Sequence, residues 1–437
     1  MPIRDRRRAL LLGVIAFFVY NSNLRTIATG DSLPARFLPF AILGHGTLGL
    51  EPVLEATSDG HANPYWIVRS LQGRRVSMYP IVAPVLVTPV YAPAAAVLAL
   101  RGWNERELEI AGEVMEKIAA SAVAALAAAL VFLLLRHRVD ARSATLLALV
   151  FAFSTNTWAT SSQALWQHGF GELLLAGALL ALTSEPTVLN AVLAGICLGL
   201  TVPNRLPNTV LAVGLLVYGV VWAGRRVPAL LASAALSAAP FLLYNWVSFR
   251  ELGGGYSYVV KKTLGSSGGF FANPLFPGLA GVLLSPGRGL LVFSPVFVFL
   301  GAILFRKIKL PARDRFLALC IAGGVVCQLA LYATTNWSGG YSYGPRTLTD
   351  MLPLLIWLLA PVVASLSDAG RAFFLAAALA GIVVQFVGVF CYPRGGSDFR
   401  GDVWRLKDAP VLVEGRAGFS PMTFLHYART IRNPIRR

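Results

Sequence analysis

Charge is scarce in this chain: Asp, Glu, Lys and Arg make up 14% of its 437 residues, against 56% hydrophobic residues. Soluble domains carry roughly a quarter charged residues, so the composition excludes that class and, with a mean hydropathy of +0.64, implies a polytopic membrane protein. No polar stretch is long enough to form a separate soluble domain, and at roughly 20 residues per crossing the apolar content allows about eleven spans. Cysteine is also rare. Cys197, Cys320, Cys327 and Cys391 sit in or beside apolar runs without metal-ligand spacing, so they read as small core residues. No small-residue cleavage site follows the first apolar segment, which is therefore expected to be a retained span rather than a signal peptide. Acidic residues number 21 against 38 basic ones, a net charge of +17. The basic residues fall in short clusters between apolar runs, which is a topology signal, and a nucleic-acid partner is not expected.

What the chain does have is an informative start. Arg4, Asp5, Arg6, Arg7 and Arg8 precede one apolar segment, and Gly30-Asp31-Ser32-Leu33-Pro34-Ala35-Arg36 follows it. Lys and Arg hold the flank of a first span in the cytoplasm, which puts Asp31 on the far side of the membrane. The expected spans lie near 9–26, 112–135, 143–160, 168–183, 188–203, 207–223, 227–247, 288–305, 316–335, 347–366 and 371–391. Clusters at Arg136 to Arg142, Arg225-Arg226, Arg306 to Arg315 and Asp368 to Arg371 all fall inside. The apolar stretch 79–100 carries Pro80, Pro84, Pro89 and Pro93, which are expected to break it into re-entrant or interfacial short helices on the outer face. The fold expected is thus all-α and polytopic, about eleven transmembrane helices with a cytoplasmic N-terminus. A first outer loop at about 27–111 and a transmembrane module over 1–392 precede a short extracytoplasmic segment, 393–437. That polar segment, with its Pro and Gly residues, either caps the outer cavity or lies on anionic lipid.

The outer loops gather unusual polar residues: Trp166-Gln167-His168-Gly169, Pro203-Asn204-Arg205, Gly253 to Lys262 with Tyr256 and Lys261, Ser285-Pro286-Gly287-Arg288-Gly289, and Trp337 to Arg346 with Tyr341 and Tyr343. Each has a bland reading. Trp and Tyr near span ends anchor interfaces, Arg346 and Asp350 are four apart and could pair on one helix, Glu113 and Lys117 are expected to do so, and a lone histidine usually satisfies a local hydrogen bond. Outer arginines are harder to dismiss, because positive charge is depleted on that side. Guanidinium binds phosphate through a planar fork, so the arginines imply a lipid-linked phosphate.

Asp31 beyond the first span, the run Ser77-Met78-Tyr79-Pro80 to Pro89-Val90-Tyr91, the following Glu116-Lys117, and the loops around His168, Arg288 and Trp337 to Arg346 resemble the GT-C superfamily of integral-membrane glycosyltransferases. That superfamily includes oligosaccharyltransferase catalytic subunits, protein O-mannosyltransferases and bacterial aminoarabinose transferases. The resemblance implies a bacterial inner-membrane enzyme that moves a sugar from a polyprenyl-phosphate donor to a glycan, lipid or protein acceptor on the extracytoplasmic face. By position it makes Asp31 the acceptor-side acid. Ser32 follows where the best-known members have a second acid, and no Trp-Trp-Asp motif is present; no cofactor is expected, with a divalent metal left open.

The chemistry follows independently of the family. Displacing phosphate from an anomeric carbon needs a base, charge compensation on the leaving group and exclusion of water. Asp31 supplies the base; Arg36, Arg205, Arg288, Arg346 and Lys261 are the candidate phosphate ligands; Gln167, His168, Tyr256, Trp337, Tyr341 and Tyr343 are the candidate sugar or acceptor contacts. One carboxylate implies inversion, since retention needs a second as nucleophile. A lipid-linked precursor flippase and a non-catalytic envelope-assembly protein remain alternatives at this stage. A cavity shared by Asp31 and the outer arginines separates them from the enzyme.

Overall fold

The longest helix organises the chain. The computed structural model describes residues 2–55, 64–264, 271–302, 311–393 and 402–432. Within it Glu105–Leu135 runs for 31 residues. Asn104 starts it by accepting the Arg106 amide, Glu105 and Glu107 favour the positive end of the dipole, and Ala and Leu fill the interior. In chain order the helices before and around it are α1 (Ile3–Asn21), α2 (Leu33–His45), α3 (Glu51–Leu54), α4 (Val82–Arg101), α5 (Glu105–Leu135), α6 (Ala141–Phe153), α7 (Gln167–Thr183), α8 (Val188–Asn204), α9 (Thr209–Ala223) and α10 (Val227–Phe249). There follow α11 (Gly254–Leu264), α12 (Leu275–Leu284), α13 (Leu290–Phe293), α14 (Ala312–Thr334), α15 (Leu352–Ala364), α16 (Asp368–Phe390), α17 (Pro410–Ala417) and α18 (Thr423–Arg432). One antiparallel hairpin, β1 (Ile67–Arg69) with β2 (Arg75–Ser77), pairs Val68 with Val76. Helix α5 packs on α1, α6 and α7, and α7 packs in turn on α8. The apolar core is continuous through Phe132, Phe151, Leu179, Leu215 and Trp357.

Six helical stretches among the described residues are long and apolar enough to cross a membrane. The chain is a multi-pass membrane protein. Several expected spans are subdivided. Residues 143–160 resolve into α6 and a π turn at Thr157–Ser161. The described part of 288–305 is α13 followed by a 3₁₀ helix Pro295–Gly301, because Pro295 cannot continue the ladder. The rest of that span, the beginning of the Arg306 to Arg315 turn, and Gly395 and Gly396 lie outside the described residues.

The stretch 79–100 is a correction. It is one continuous 20-residue helix, α4, not a broken pair. Pro84 stands in the first turn, where amides are unbonded anyway, and Pro89 and Pro93 are carried because α4 packs along α2, with Phe40 edge-on to Tyr91 at 5.1 Å. Trp103, just past α4, closes on Gly44 and Phe40 of α2. The helix packs on both α2 and α5, and it is one of the six stretches long and apolar enough to cross a membrane, against the expectation that 79–100 stays on the outer face.

The two ends of α5 define two polar layers. At its C-terminal end Arg136 pairs with Asp5 at 3.2 Å and Arg138 with Asp314 at 3.4 Å, and Arg138 lies 3.8 Å over the Trp357 ring. About 30 Å away by helical rise, Glu113 and Glu116 face the layer that contains Asp31. Residues 402–432 cross that second layer: Val403 accepts from the Gly287 amide, the Tyr427 hydroxyl donates to Glu113 at 2.7 Å, and the Phe424 amide donates to the Leu24 carbonyl.

Candidate functional site

Asp31 sits in the tight turn between α1 and α2, where Gly30 leaves room for an aromatic ring: a Cβ there would run into Tyr65. Its carboxylate is held from three sides. Arg346 Nη1 reaches Oδ2 at 2.6 Å, the Tyr79 hydroxyl donates to Oδ1 at 2.6 Å, and the Tyr65 hydroxyl lies 3.5 Å from the same oxygen. The pair stays open to solvent, with side-chain exposures of 23% for Asp31 and 18% for Arg346. Burial, and then the Asp31 charge, push the Tyr65 hydroxyl up to about 12 and raise Tyr79 further. Both phenols therefore stay protonated donors. Tyr256 on α11 stacks on Tyr79 at 6.1 Å, and Arg346 lies 5.0 Å over the Trp166 ring.

Arg346 and Asp350 do not pair. They open a 3₁₀ helix, Arg346–Met351, in which three residues make a turn, so positions four apart point about 120° from each other. Arg346 goes to Asp31, whereas Asp350 turns inward and is fully buried. It accepts from His168 Nδ1 at 2.7 Å, Arg205 Nη1 at 2.9 Å and Asn208 Nδ2 at 2.7 Å. Asn208 Oδ1 accepts from Gln328 in turn. Gly171, one turn along α7 from His168, makes the approach possible, since a Cβ there would collide with Asp350 Oδ1.

The other expected site residues divide. Arg36 is engaged by Glu116 at 2.7 Å and Glu113 at 3.4 Å. This also corrects the expected Glu113–Lys117 pair, because Lys117 donates instead to Gln163 Oε1 at 2.6 Å and the Ser162 carbonyl. Arg288 is buried, and its guanidinium donates to the carbonyls of Ser338, Gly340, Ser342 and Gly344. It is the peg around which the 337–346 loop winds, with Gly340 and Gly344 at positive φ. Lys261 stands apart, exposed and paired with Glu251 at 2.7 Å. Tyr343 is core, its hydroxyl on the Val384 carbonyl at 2.7 Å. Arg205 is tied to Asp350 and lies 5.3 Å over Tyr332. Trp337 meets Trp404 edge-on at 6.1 Å and lines a recess with Arg288, Arg346, Gly339 and Thr347. Tyr341 is exposed near Tyr65, and Gln167 gives its carbonyl to Asn204.

Tyr65, Tyr79 and Asp350 were missed as site residues. An aromatic beside a first-loop acid was a usable signal for Tyr79; nothing in the linear order points to Asp350 as the partner of His168. Among the described residues no group of three or more His, Cys, Asp or Glu side chains is placed to hold a metal ion.

No protein-family model and no curated protein matches the chain in sequence. In structure it is similar to ArnT from Cupriavidus metallidurans, solved bound to undecaprenyl phosphate, with a TM-score of 0.53 and 16% identity over 87% of this chain and 63% of that one. The chain thus spans a little under two thirds of that protein's length. The archaeal oligosaccharyltransferase AglB from Archaeoglobus fulgidus, in complex with an inhibitory peptide and a dolichol-phosphate, aligns over 89% of this chain and 56% of its own at a TM-score of 0.47 and 15% identity. A polytopic helical membrane fold with a polar layer at each end is the class so defined. Its particular form is the membrane fold that ArnT also has.

Proposed function

We propose that the chain is a glycosyltransferase that moves a sugar from a polyprenyl-phosphate carrier to a hydroxyl of a glycan, lipid or protein acceptor, with inversion and with Asp31 as base. The observation that carries this is the half-open Asp31–Arg346 pair in a GT-C fold. A phosphate diester entering the recess lined by Arg346 competes with the carboxylate for the guanidinium, whose planar fork suits phosphate. Once Arg346 turns to phosphate, Asp31 Oδ2 is free while Tyr79 still holds Oδ1. The acceptor oxygen then attacks the anomeric carbon, its proton passes to Oδ2, and the anomeric C–O bond breaks with its electron pair going to the phosphate oxygen, where Arg346 offsets the charge. Tyr256, Tyr341 and Trp337 supply ring faces for sugar. Arg4 to Arg8, Arg136, Arg138 and Arg313 belong to the opposite layer; that end is inferred to be cytoplasmic and the Asp31 end periplasmic or extracytoplasmic.

The test is mass spectrometry of lipid-linked sugars and envelope glycans in cells with and without the protein, followed by transfer assays on the purified enzyme with the accumulating lipid. A polyprenyl-phosphate sugar that accumulates on deletion and is consumed in vitro is expected. Unchanged lipid and glycan profiles, together with no transfer from any polyprenyl-phosphate sugar, would sink the proposal.

A further inference from the structure

His168 is more than a satisfied core histidine. Its side chain is 5% exposed and Asp350 is fully buried. The carboxylate takes three donors, His168 Nδ1, Arg205 and Asn208, so it acts purely as an acceptor and the imidazole proton resides on Nδ1. In the neutral ring Nε2 is then left with a lone pair. Nε2 has no hydrogen-bond partner among the described residues. The ring keeps a small exposed remnant. The ring lies 6.5 Å from Trp166, which carries Arg346 on its face, so it adjoins the anion-binding guanidinium. One 3₁₀ turn supplies both Arg346 and the carboxylate that fixes His168.

We infer that His168 Nε2 accepts a hydrogen bond from a carbohydrate hydroxyl beside the phosphate held by Arg346, and that Asp350 is the positioning residue that fixes the tautomer. This rests on the glycosyltransferase reading for its ligand, but not for its geometry. The sugar attached to the phosphate is the group nearest to hand; a hydroxyl of the acceptor has the same chemistry.

The variant that separates this role from a structural one is His168→Asn, whose amide can keep the donor bond to Asp350 while removing the atom at the Nε2 position. The probes are undecaprenyl phosphate and a panel of undecaprenyl-phosphate hexoses and pentoses, titrated against the full chain in nanodiscs. Bare undecaprenyl phosphate is expected to bind wild type and His168→Asn equally, whereas the sugar lipid that wild type prefers should bind the variant about 10- to 100-fold more weakly. An unchanged sugar-lipid affinity with the same loss in KM for the acceptor assigns the hydroxyl to the acceptor. No loss in either overturns the inference. Nitrogen-15 NMR of the histidines, with His168→Asn to assign the resonance, checks Asp350 separately: Nδ1 is expected to carry the proton in wild type, and Asp350→Asn to shift it toward Nε2. A proton on Nε2 in wild type overturns the inference even without any lipid. If wild type binds no polyprenyl phosphate while Nδ1 is protonated, it is the glycosyltransferase reading that fails.

Discussion

Asp31 and Asp350 are two aspartates held by arginine in the same layer, and they have opposite characters. Asp350 has no exposure and is saturated by three donors from three segments: the start of α7, the end of α8 and the turn before α9. Asp31 is 23% exposed, and its charged partner is itself partly open. A carboxylate saturated by buried donors is fixed in one protonation state and one place. A carboxylate whose counter-ion can turn to a competing anion is able to change its basicity during a reaction cycle. Burial and partner count, rather than residue type, separate the anchor from the proposed base.

That comparison is tested first by Asp31→Asn. Transfer is expected to fall about 10³-fold or more, near the upper end for loss of a general base, while thermal stability stays close to wild type. Because the substitution releases Arg346, affinity for undecaprenyl phosphate should rise about two- to fivefold, the scale of a partly exposed ion pair. Wild-type turnover in this variant ends the assignment of Asp31; unchanged phosphate affinity ends the exchange of Arg346 between carboxylate and phosphate. Asp350→Ala should behave in the reverse way. It leaves the donors of Arg205, His168 and Asn208 without their acceptor, so the expected loss is about 3–5 kcal/mol of stability, read as a lower melting temperature and poor expression. A well-folded Asp350→Ala protein with full stability would erase the contrast.

Arg346→Ala comes next. Losing one charge-compensating contact to a desolvated phosphate should cost about 2–4 kcal/mol of transition-state stabilisation, or about 30- to 1000-fold in rate. Arg346→Lys should recover part of it, since an ammonium cannot form the paired fork. Tyr79→Phe is expected to be milder, about tenfold in rate, through loss of one hydrogen bond to a carboxylate. The sign of its pH behaviour is fixed by its surroundings: burial and Asp31 raise the Tyr79 hydroxyl above its usual range and Tyr65 to about 12. Both remain donors through the physiological range and titrate only at strongly alkaline pH, so a basic limb between pH 8 and 10 should be the same in wild type and Tyr79→Phe. A limb in that window that disappears in the variant would contradict the placement of Tyr79.

Much of this layer was legible in the linear chain, and what was not has identifiable causes. The class followed from composition. Asp31 drew notice because a basic tail, one apolar run and an acid in order specify a side of the membrane, and Arg346 because cations beyond apolar spans require an anion; the structure pairs the two. The Arg346–Asp350 pairing failed because it assumes a 3.6-residue period, and the turn after Pro345 has three residues per turn. The loop-holding role of Arg288 was not legible because carbonyl demand within a glycine-rich loop cannot be read from composition; four carbonyls of the 337–346 loop converge on one guanidinium. Helix α4 stayed whole because the proline rule counts the lost amides but not the packing against α2 that carries them.

Lys261 provides the smallest expected effect and a control on the whole contrast. Both it and Arg346 are basic residues in loops on the same side of the expected topology, and both were assigned to phosphate on that ground. The structure gives Lys261 an exposed pairing with Glu251 at 2.7 Å, its side chain 71% exposed, where solvent and salt screen the charge and a lone ion pair contributes little. Among the described residues it has no aromatic face beneath it and no carboxylate of the site as partner, whereas Arg346 has Trp166 and Asp31. Lys261→Ala is therefore expected to change turnover and undecaprenyl phosphate affinity by less than about twofold, with an unchanged melting temperature. If it instead costs as much as Arg346→Ala, simple accumulation of positive charge on the outer face governs donor binding, and the distinction between a placed guanidinium and a nearby cation does not hold for this site.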